Sequence, residues 1–277
     1  MALVKMKELL SRASADKYAV GAFEFWSLDS VRAILEAAEE LKQPVILQAG
    51  PGELNYMGWK NAERAVIYAA EHSPCEVAVH LDHSNELKWI KMALESGFTS
   101  VMMDASHLCF EENVDLTREV VAMAARYGVT VESELGRLPG AEGAIEVEEA
   151  EAFQTKTREA VEFVRLTGID CLAIAVGTVH GFYRSEPNIN IERIREIRRA
   201  VSTPLVLHGG SGIPDVKVTE AIEAGISKVN VCTEFMDAFG KSYTGGYRPS
   251  LKGLFEPAFQ AGKKVIAEKI RLFSNEY

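Results

Sequence analysis

Cysteine is scarce and unpaired in this chain: Cys75, Cys109, Cys171 and Cys232 lie far apart, with no C-x-x-C spacing. That spacing argues against a disulfide framework. Cys171 and Cys232 sit in apolar runs, as reduced, buried thiols do, and the expected setting is cytoplasmic. Long hydrophobic stretches are missing too. None approaches the roughly 20 residues that span a bilayer, and lysines break the apolar residues 1–7 too early for a secretory signal. Positive charge is in deficit, with 30 Lys and Arg against 40 Asp and Glu and a formal net charge of −10. That balance argues against nucleic-acid or anionic-membrane partners. No Pro/Gly/Ser-rich linker and no low-complexity tract divides the 277 residues.

What is present is a strict alternation. Short apolar runs at 19–25, 44–48, 77–82, 100–104, 130–135, 171–177, 204–208 and 228–232 read as β-strands. Helical periodicity appears at 6–15, 28–41, 61–71, 86–95, 113–127, 157–167, 191–200 and 216–224, then at 234–242 and 251–273. The strands are continuously apolar rather than alternating, the pattern of a parallel sheet covered on both faces. Eight such units predict a closed (β/α)8 barrel of the TIM type, with an open doubly wound sheet as the runner-up. The expected organisation is one domain over residues 1–277, with a helical extension at the C-terminal end. The one long irregular segment, 136–156, reads as a lid.

In such a barrel the strand C-termini build the active-site rim. Asp82, His83, Asp104, Ser106, His107, Glu132, Glu134, His180, His208 and Asn230 all fall there. A single histidine is most simply structural. Three of them, His83, His180 and His208, at the ends of strands three, six and seven, form the donor set of a catalytic zinc with an open position. His80 in mid-strand and His72 in a loop are read as structural, and His107 as a hydrogen-bonding neighbour. Asp82 adjoins His83 and is placed either for proton transfer beside the metal or for orienting an imidazole. Asp104 and Glu134 could serve a second metal position or hydrogen-bond the histidines; Glu132 points the same way one layer deeper.

His208-Gly209-Gly210-Ser211-Gly212 and Asn230-Val231-Cys232-Thr233 each lead from a strand into a helix, where backbone N–H groups bind anions. A metal, an adjacent carboxyl group and a phosphate cradle suit aldol cleavage of a phosphorylated ketose. They equally suit metal-assisted hydrolysis or isomerisation.

Six ordered motifs carry a resemblance over essentially the whole chain. They are His80-Leu81-Asp82-His83, Val101-Met102-Met103-Asp104-Ala105-Ser106, Val131-Glu132-Ser133-Glu134-Leu135-Gly136, Gly177-Thr178-Val179-His180-Gly181, Leu207-His208-Gly209-Gly210-Ser211-Gly212 and Lys228-Val229-Asn230-Val231-Cys232-Thr233. Together they resemble the class II, metal-dependent ketose-bisphosphate aldolases, including the fructose- and tagatose-bisphosphate enzymes. The resemblance implies reversible cleavage of a ketose bisphosphate or ketose 1-phosphate, through a zinc-stabilised enediolate, to dihydroxyacetone phosphate and an aldehyde.

By the same resemblance, His83, His180 and His208 hold Zn2+, and Asp82 is the acid/base at the bond being broken. Glu142 moves the proton at the enediolate carbon, and Glu134 and Asp104 serve a second divalent or a monovalent cation. Gly181, Gly209, Gly210, Ser211, Asn230, Val231, Cys232 and Thr233 hold the phosphate and ketose end of a small sugar-phosphate substrate. A homodimer or homotetramer is usual in the family.

Some positions depart from that pattern. Glu24 replaces a usual asparagine, and Gln48-Ala49-Gly50 lacks a usual hydroxyl. Pro139-Gly140 stands for a paired glycine, Gly143 for an acid, and Cys232 for the aspartate of fructose-bisphosphate enzymes. The metal and phosphate ends are thus intact while the aldehyde end has changed, and Glu24 is expected to repel a distal phosphate. A zinc hydrolase on the same fold, or a non-catalytic sugar-phosphate-binding protein, are the competing classes. The first strand lacks the His-x-His pair of many such hydrolases, and the second class predicts loss of Asp82 or a zinc histidine.

Overall fold

The computed structural model describes residues 2–138, 140–142, 145–147, 154–183, 186–243 and 251–275. In chain order the helices are α1 (Met6–Asp16), α2 (Leu28–Leu41), α3 (Pro51–Met57), α4 (Trp59–His72), α5 (Leu87–Glu95) and α6 (Phe110–Ala125), then α7 (Thr157–Thr167), α8 (Ile191–Ala200), α9 (Asp215–Ala224), α10 (Thr233–Tyr243) and α11 (Leu251–Phe273). The strands are β1 (Val20–Glu24), β2 (Val45–Ala49), β3 (Val77–Ser84), β4 (Ser100–Met103) and β5 (Thr130–Leu135), then β6 (Gly140–Glu142), β7 (Ile145–Val147), β8 (Cys171–Ile174), β9 (Leu205–Leu207) and β10 (Ile226–Val231).

Eight of the strands are parallel and close in the order β1-β10-β9-β8-β5-β4-β3-β2. Ala22 makes the closure, paired with Asn230 on one side and Ile46 on the other. This is the (β/α)8 barrel that the alternation predicts. Among the described residues, no helix is long and apolar enough to cross a membrane.

Side chains alternate between the two faces of each strand, so one apolar run builds two cores. Outward residues such as Leu47, Val79, Leu81, Val101, Leu172, Leu207 and Val229 pack under the surrounding helices. α2 shows how a covering helix is set. Ser27 and Ser30 cap its start reciprocally, Val31, Ile34, Leu35 and Ala38 face inward, and Lys42 ends it in a left-handed conformation at φ 54°. Inward residues Val20, Ala22, Ile46, Ala78, Cys171, Ala173 and Val206 meet Met6, Leu9, Leu10 and Ala13 of α1, which stops the barrel's N-terminal end.

Four details differ from expectation. A helix, α3, follows β2 directly, because Pro51 supplies the preset φ of a first helical turn. The segment 136–156 is not wholly irregular: β6 and β7 pair antiparallel within it. β8 stops at Ile174 instead of running through Gly177, which turns at φ 103° where a Cβ would meet the Asn188 carbonyl at 2.4 Å. His72 closes α4 rather than lying in a loop, its ring stacked on Tyr68 and its Nδ1 donating to the Tyr68 carbonyl at 2.8 Å.

Candidate active site

The inward residues change character two positions beyond the apolar floor. Lys228, His80 and Glu132 come first, all fully buried, and then Glu24, Gln48, Asp82, Asp104, Glu134, His208 and Asn230 at the mouth. Strict alternation would send the neighbours Asp82 and His83 to opposite faces. β3 instead slips register between Leu81 and Ser84, and His83 takes φ 39°. The irregularity turns both side chains into the mouth, and a left-handed φ at a residue with a Cβ costs on the order of 1–2 kcal/mol.

His83 then meets the two other histidines. Its ring centroid lies 5.2 Å from that of His180, in the loop after β8, and 4.7 Å from that of His208, just after β9. One ring nitrogen from each of the three falls within 4.8 Å of the others. Carboxylates fix which nitrogens face that point. His83 donates from Nδ1 to Asp104 Oδ2 at 2.8 Å, which turns its Nε2 inward. His208 donates from Nε2 to Glu132 Oε1 at 2.9 Å and leaves a buried Nδ1 with no hydrogen-bond partner. A donor set oriented this way by anchoring carboxylates fits a divalent metal.

The electrostatics agree. Burial pulls the His208 imidazole down, but Glu132 and Glu134 outweigh it and push it up to about 9. Burial works against ionisation of Asp104, and His83 and Ser106 more than reverse it, to about 2. Glu132 is likewise brought to about 2 against its burial, mainly by Lys228 and His208. Lys228 reaches both Glu132 oxygens, at 3.1 and 2.9 Å. Glu134 Oε2 is 3.2 Å from His208 Nδ1 without hydrogen-bond alignment, and Glu134 also groups with His83 and Asp104 as a second possible cation position.

Asp82 sits at the centre of the mouth. Its Oδ2 accepts from Gln48 Nε2 at 3.1 Å and Asn230 Nδ2 at 3.2 Å, and its Oδ1 lies 3.3 Å from His80 Nε2. Burial opposes its charge, yet His83, His80 and Lys228 hold it well below the usual carboxylate range. An ionised carboxylate there can accept a proton.

Beside it, Gly181, Gly209, Ser211, Asn230, Cys232 and Thr233 line one pocket with His180. The glycines let three loops touch: a Cβ on Gly209 would come 2.2 Å from the Val179 carbonyl, and one on Gly210 would come 2.5 Å from the Asn230 carbonyl. Tyr183 ties the same loops, donating to the Gly209 carbonyl at 2.9 Å and accepting from the Val179 N–H at 3.2 Å. Gly210 packs behind the pocket wall, and the Val231 side chain faces the outer core.

Glu24 lies at this mouth, level with Gln48 and buried, taking the Gly50 N–H at 2.9 Å and Gln48 Nε2 at 3.2 Å. His107 is exposed, and its carbonyl accepts from Arg137 at 2.6 Å. Glu142 ends β6, and its side chain lies outside the described residues. Three participants were not foreseen: Lys228, Gln48 as a donor to Asp82, and Tyr183. Lys228 shares the parity of Asn230 inside an apolar strand, which was a readable signal.

The family model for class II fructose-bisphosphate aldolases matches residues 4–276. The chain belongs to the class II aldolase family. Among solved structures, the YdjI aldolase from Escherichia coli K12 is 34% identical, with 99% of this chain and 98% of that one covered and a TM-score of 0.90. A putative fructose-1,6-bisphosphate aldolase from Coccidioides immitis is 30% identical over 97% and 96%, with a TM-score of 0.91. A fructose-bisphosphate aldolase from Campylobacter jejuni, 22% identical over 98% and 94% with a TM-score of 0.77, shares the fold. As a class II aldolase, the protein cleaves a phosphorylated ketose reversibly and depends on a metal. The hydrolase and binding-protein readings give way to it.

Proposed function

We propose that this aldolase holds Zn2+ on His83, His180 and His208 and cleaves its ketose into dihydroxyacetone phosphate and an aldehyde. The observation that carries the reading is the convergence of one nitrogen from each histidine within 4.8 Å. Asp82, covalently next to one of them, supports it as an already ionised carboxylate. When bound, the ion draws electron density from the ketose carbonyl.

The chain's own groups do the rest. Asp82 takes the proton of the hydroxyl on the carbon beyond the scissile bond; that oxygen becomes the aldehyde carbonyl, and the bonding pair stays with the ketose fragment. Glu142 returns a proton to that fragment. Gly181, Gly209, Ser211, Asn230, Cys232 and Thr233 orient the phosphate with backbone N–H, hydroxyl and amide donors, while Gly210, its N–H on the Asn230 carbonyl, and Val231 hold the pocket wall from behind. Glu132, braced by Lys228, and Asp104 keep the histidine rings in place. Glu134 and Asp104 are the natural ligands of a second cation.

Metal analysis of the purified protein, together with dihydroxyacetone phosphate release before and after chelation, tests this. About one zinc per chain and chelator-sensitive release are expected. Chelator-resistant release would overturn it.

A further inference from the structure

The phosphate pocket is braced from outside by a pair of charges, and their meaning rests on the phosphate placement proposed above. The pocket lies between the loops after β9 and β10, at the start of α10, the usual place for a phosphate in this fold. Glu234 stands one residue past the wall residue Thr233, in the first turn of α10. Its N–H donates to Ser211 Oγ at 3.1 Å, and its Oε2 accepts from the Gly212 N–H at 3.1 Å. One residue thus fixes two successive residues of the glycine-rich loop. Ser211 is itself a pocket wall, and a hydroxyl that accepts an N–H keeps its own proton to donate.

Glu234 is unfavourable to the ligand in another respect. Its charge sits at a helix start, where the phosphate is to bind, and like charges in a partly buried site repel. Lys269 answers it from α11. The ammonium reaches Glu234 Oε2 at 3.0 Å, on a side chain only 8% exposed. Burying an ammonium is unfavourable unless a partner offsets it, and among the described residues Glu234 is its one ion-pair partner. The two helices are locked at this level. Gly262 lies two turns before Lys269 on the same face of α11, and a Cβ there would meet the ring of Phe235, next to Glu234, at 2.5 Å.

We propose that Glu234 and Lys269 are positioning residues for the substrate phosphate. Glu234 sets Ser211 and Gly212, and Lys269 cancels the charge that Glu234 would otherwise turn on the ligand. The C-terminal helix is thereby part of the phosphate site, although Lys269 is not among the pocket walls. No bond or proton of the reaction passes through either residue.

The test is calorimetric titration of inorganic phosphate and of dihydroxyacetone phosphate into the zinc-loaded full chain. Lys269→Met keeps most of the stem but leaves Glu234 negative, and both ligands should bind about tenfold more weakly. Adding Glu234→Gln should restore most of the affinity, since an amide oxygen still takes the Gly212 N–H and the charge is gone. A role in packing alone predicts no such rescue, because the second change removes a further native contact. In turnover of a ketose phosphate, the Lys269→Met defect should fall on KM rather than on kcat. Should Lys269→Met not fold, Glu234→Gln alone decides: the lone ammonium then adds to the positive field, and inorganic phosphate should bind at least as tightly as in the wild type. Unmoved affinity in folded Lys269→Met, absence of rescue, or weaker phosphate binding in Glu234→Gln would overturn the inference and leave the aldolase reading intact. A wild-type chain that binds neither ligand would instead remove the phosphate placement on which it rests.

Discussion

The floor and the mouth of the barrel are made by the same strands, two to four residues apart, and they are chemically opposite. At the floor, Val20, Ala22, Ile46, Ala78, Ala173 and Val206 pack dry against α1. At the mouth, inward positions further along those strands and their neighbours carry Glu24, Gln48, Asp82, Glu134, His208 and Asn230. One end gains stability from apolar burial. The other keeps carboxylates out of water and needs cations to hold them there: Lys228, fixed in the chain, and the metal. Stability and reactivity are thus separated along the strand axis, with the Lys228–Glu132 pair as the boundary.

The comparison breaks most sharply at the metal. Chelation or His83→Ala should lower turnover about a thousand-fold or more, since several kcal/mol of charge stabilisation are lost. Thermal melts should show the chain still folded, because the floor is untouched; coincident loss of folding would contradict the separation. At the boundary, Lys228→Met strips Glu132 of its ammonium partner and leaves the buried carboxylate to the His208 ring, for a loss of about 3–5 kcal/mol measurable by urea denaturation. Adding Glu132→Gln should return much of that loss.

At the floor, Leu9→Ala, fully buried, should cost about 2–5 kcal/mol while leaving kcat per folded molecule unchanged. The mouth alone should respond to pH in metal affinity. His208 is raised above its ordinary value, so without metal it keeps its proton as pH climbs toward about 9. The metal needs that nitrogen bare, so binding measured by zinc competition should tighten with rising pH up to about that point. The smallest effect is expected from Tyr183→Phe, which removes one hydroxyl brace and about 1 kcal/mol. It should appear as a several-fold higher KM at nearly constant kcat.

The barrel was legible because continuous apolar strands at regular intervals admit few architectures, and the mouth because polar residues at strand ends stand out against them. Proximity of His83, His180 and His208 followed from the fold class alone. What the sequence hid was conformational. Nothing in His80-Leu81-Asp82-His83 announces a register slip, since a bulge depends on the partner strand as much as on its own residues. α3 was hidden because Pro51 and Gly52 read as turn formers, and only the Pro at the first helical position marks it. Gln48 was read for the hydroxyl it lacks, when what counts is that its amide bridges two carboxylates from different strands.

The α1 stopper has one more consequence. With Met6, Leu9 and Leu10 filling the far end, the barrel is a blind well rather than a tunnel. Whatever reaches the imidazoles arrives from a single side, and both halves of a split sugar must queue at one doorway to leave.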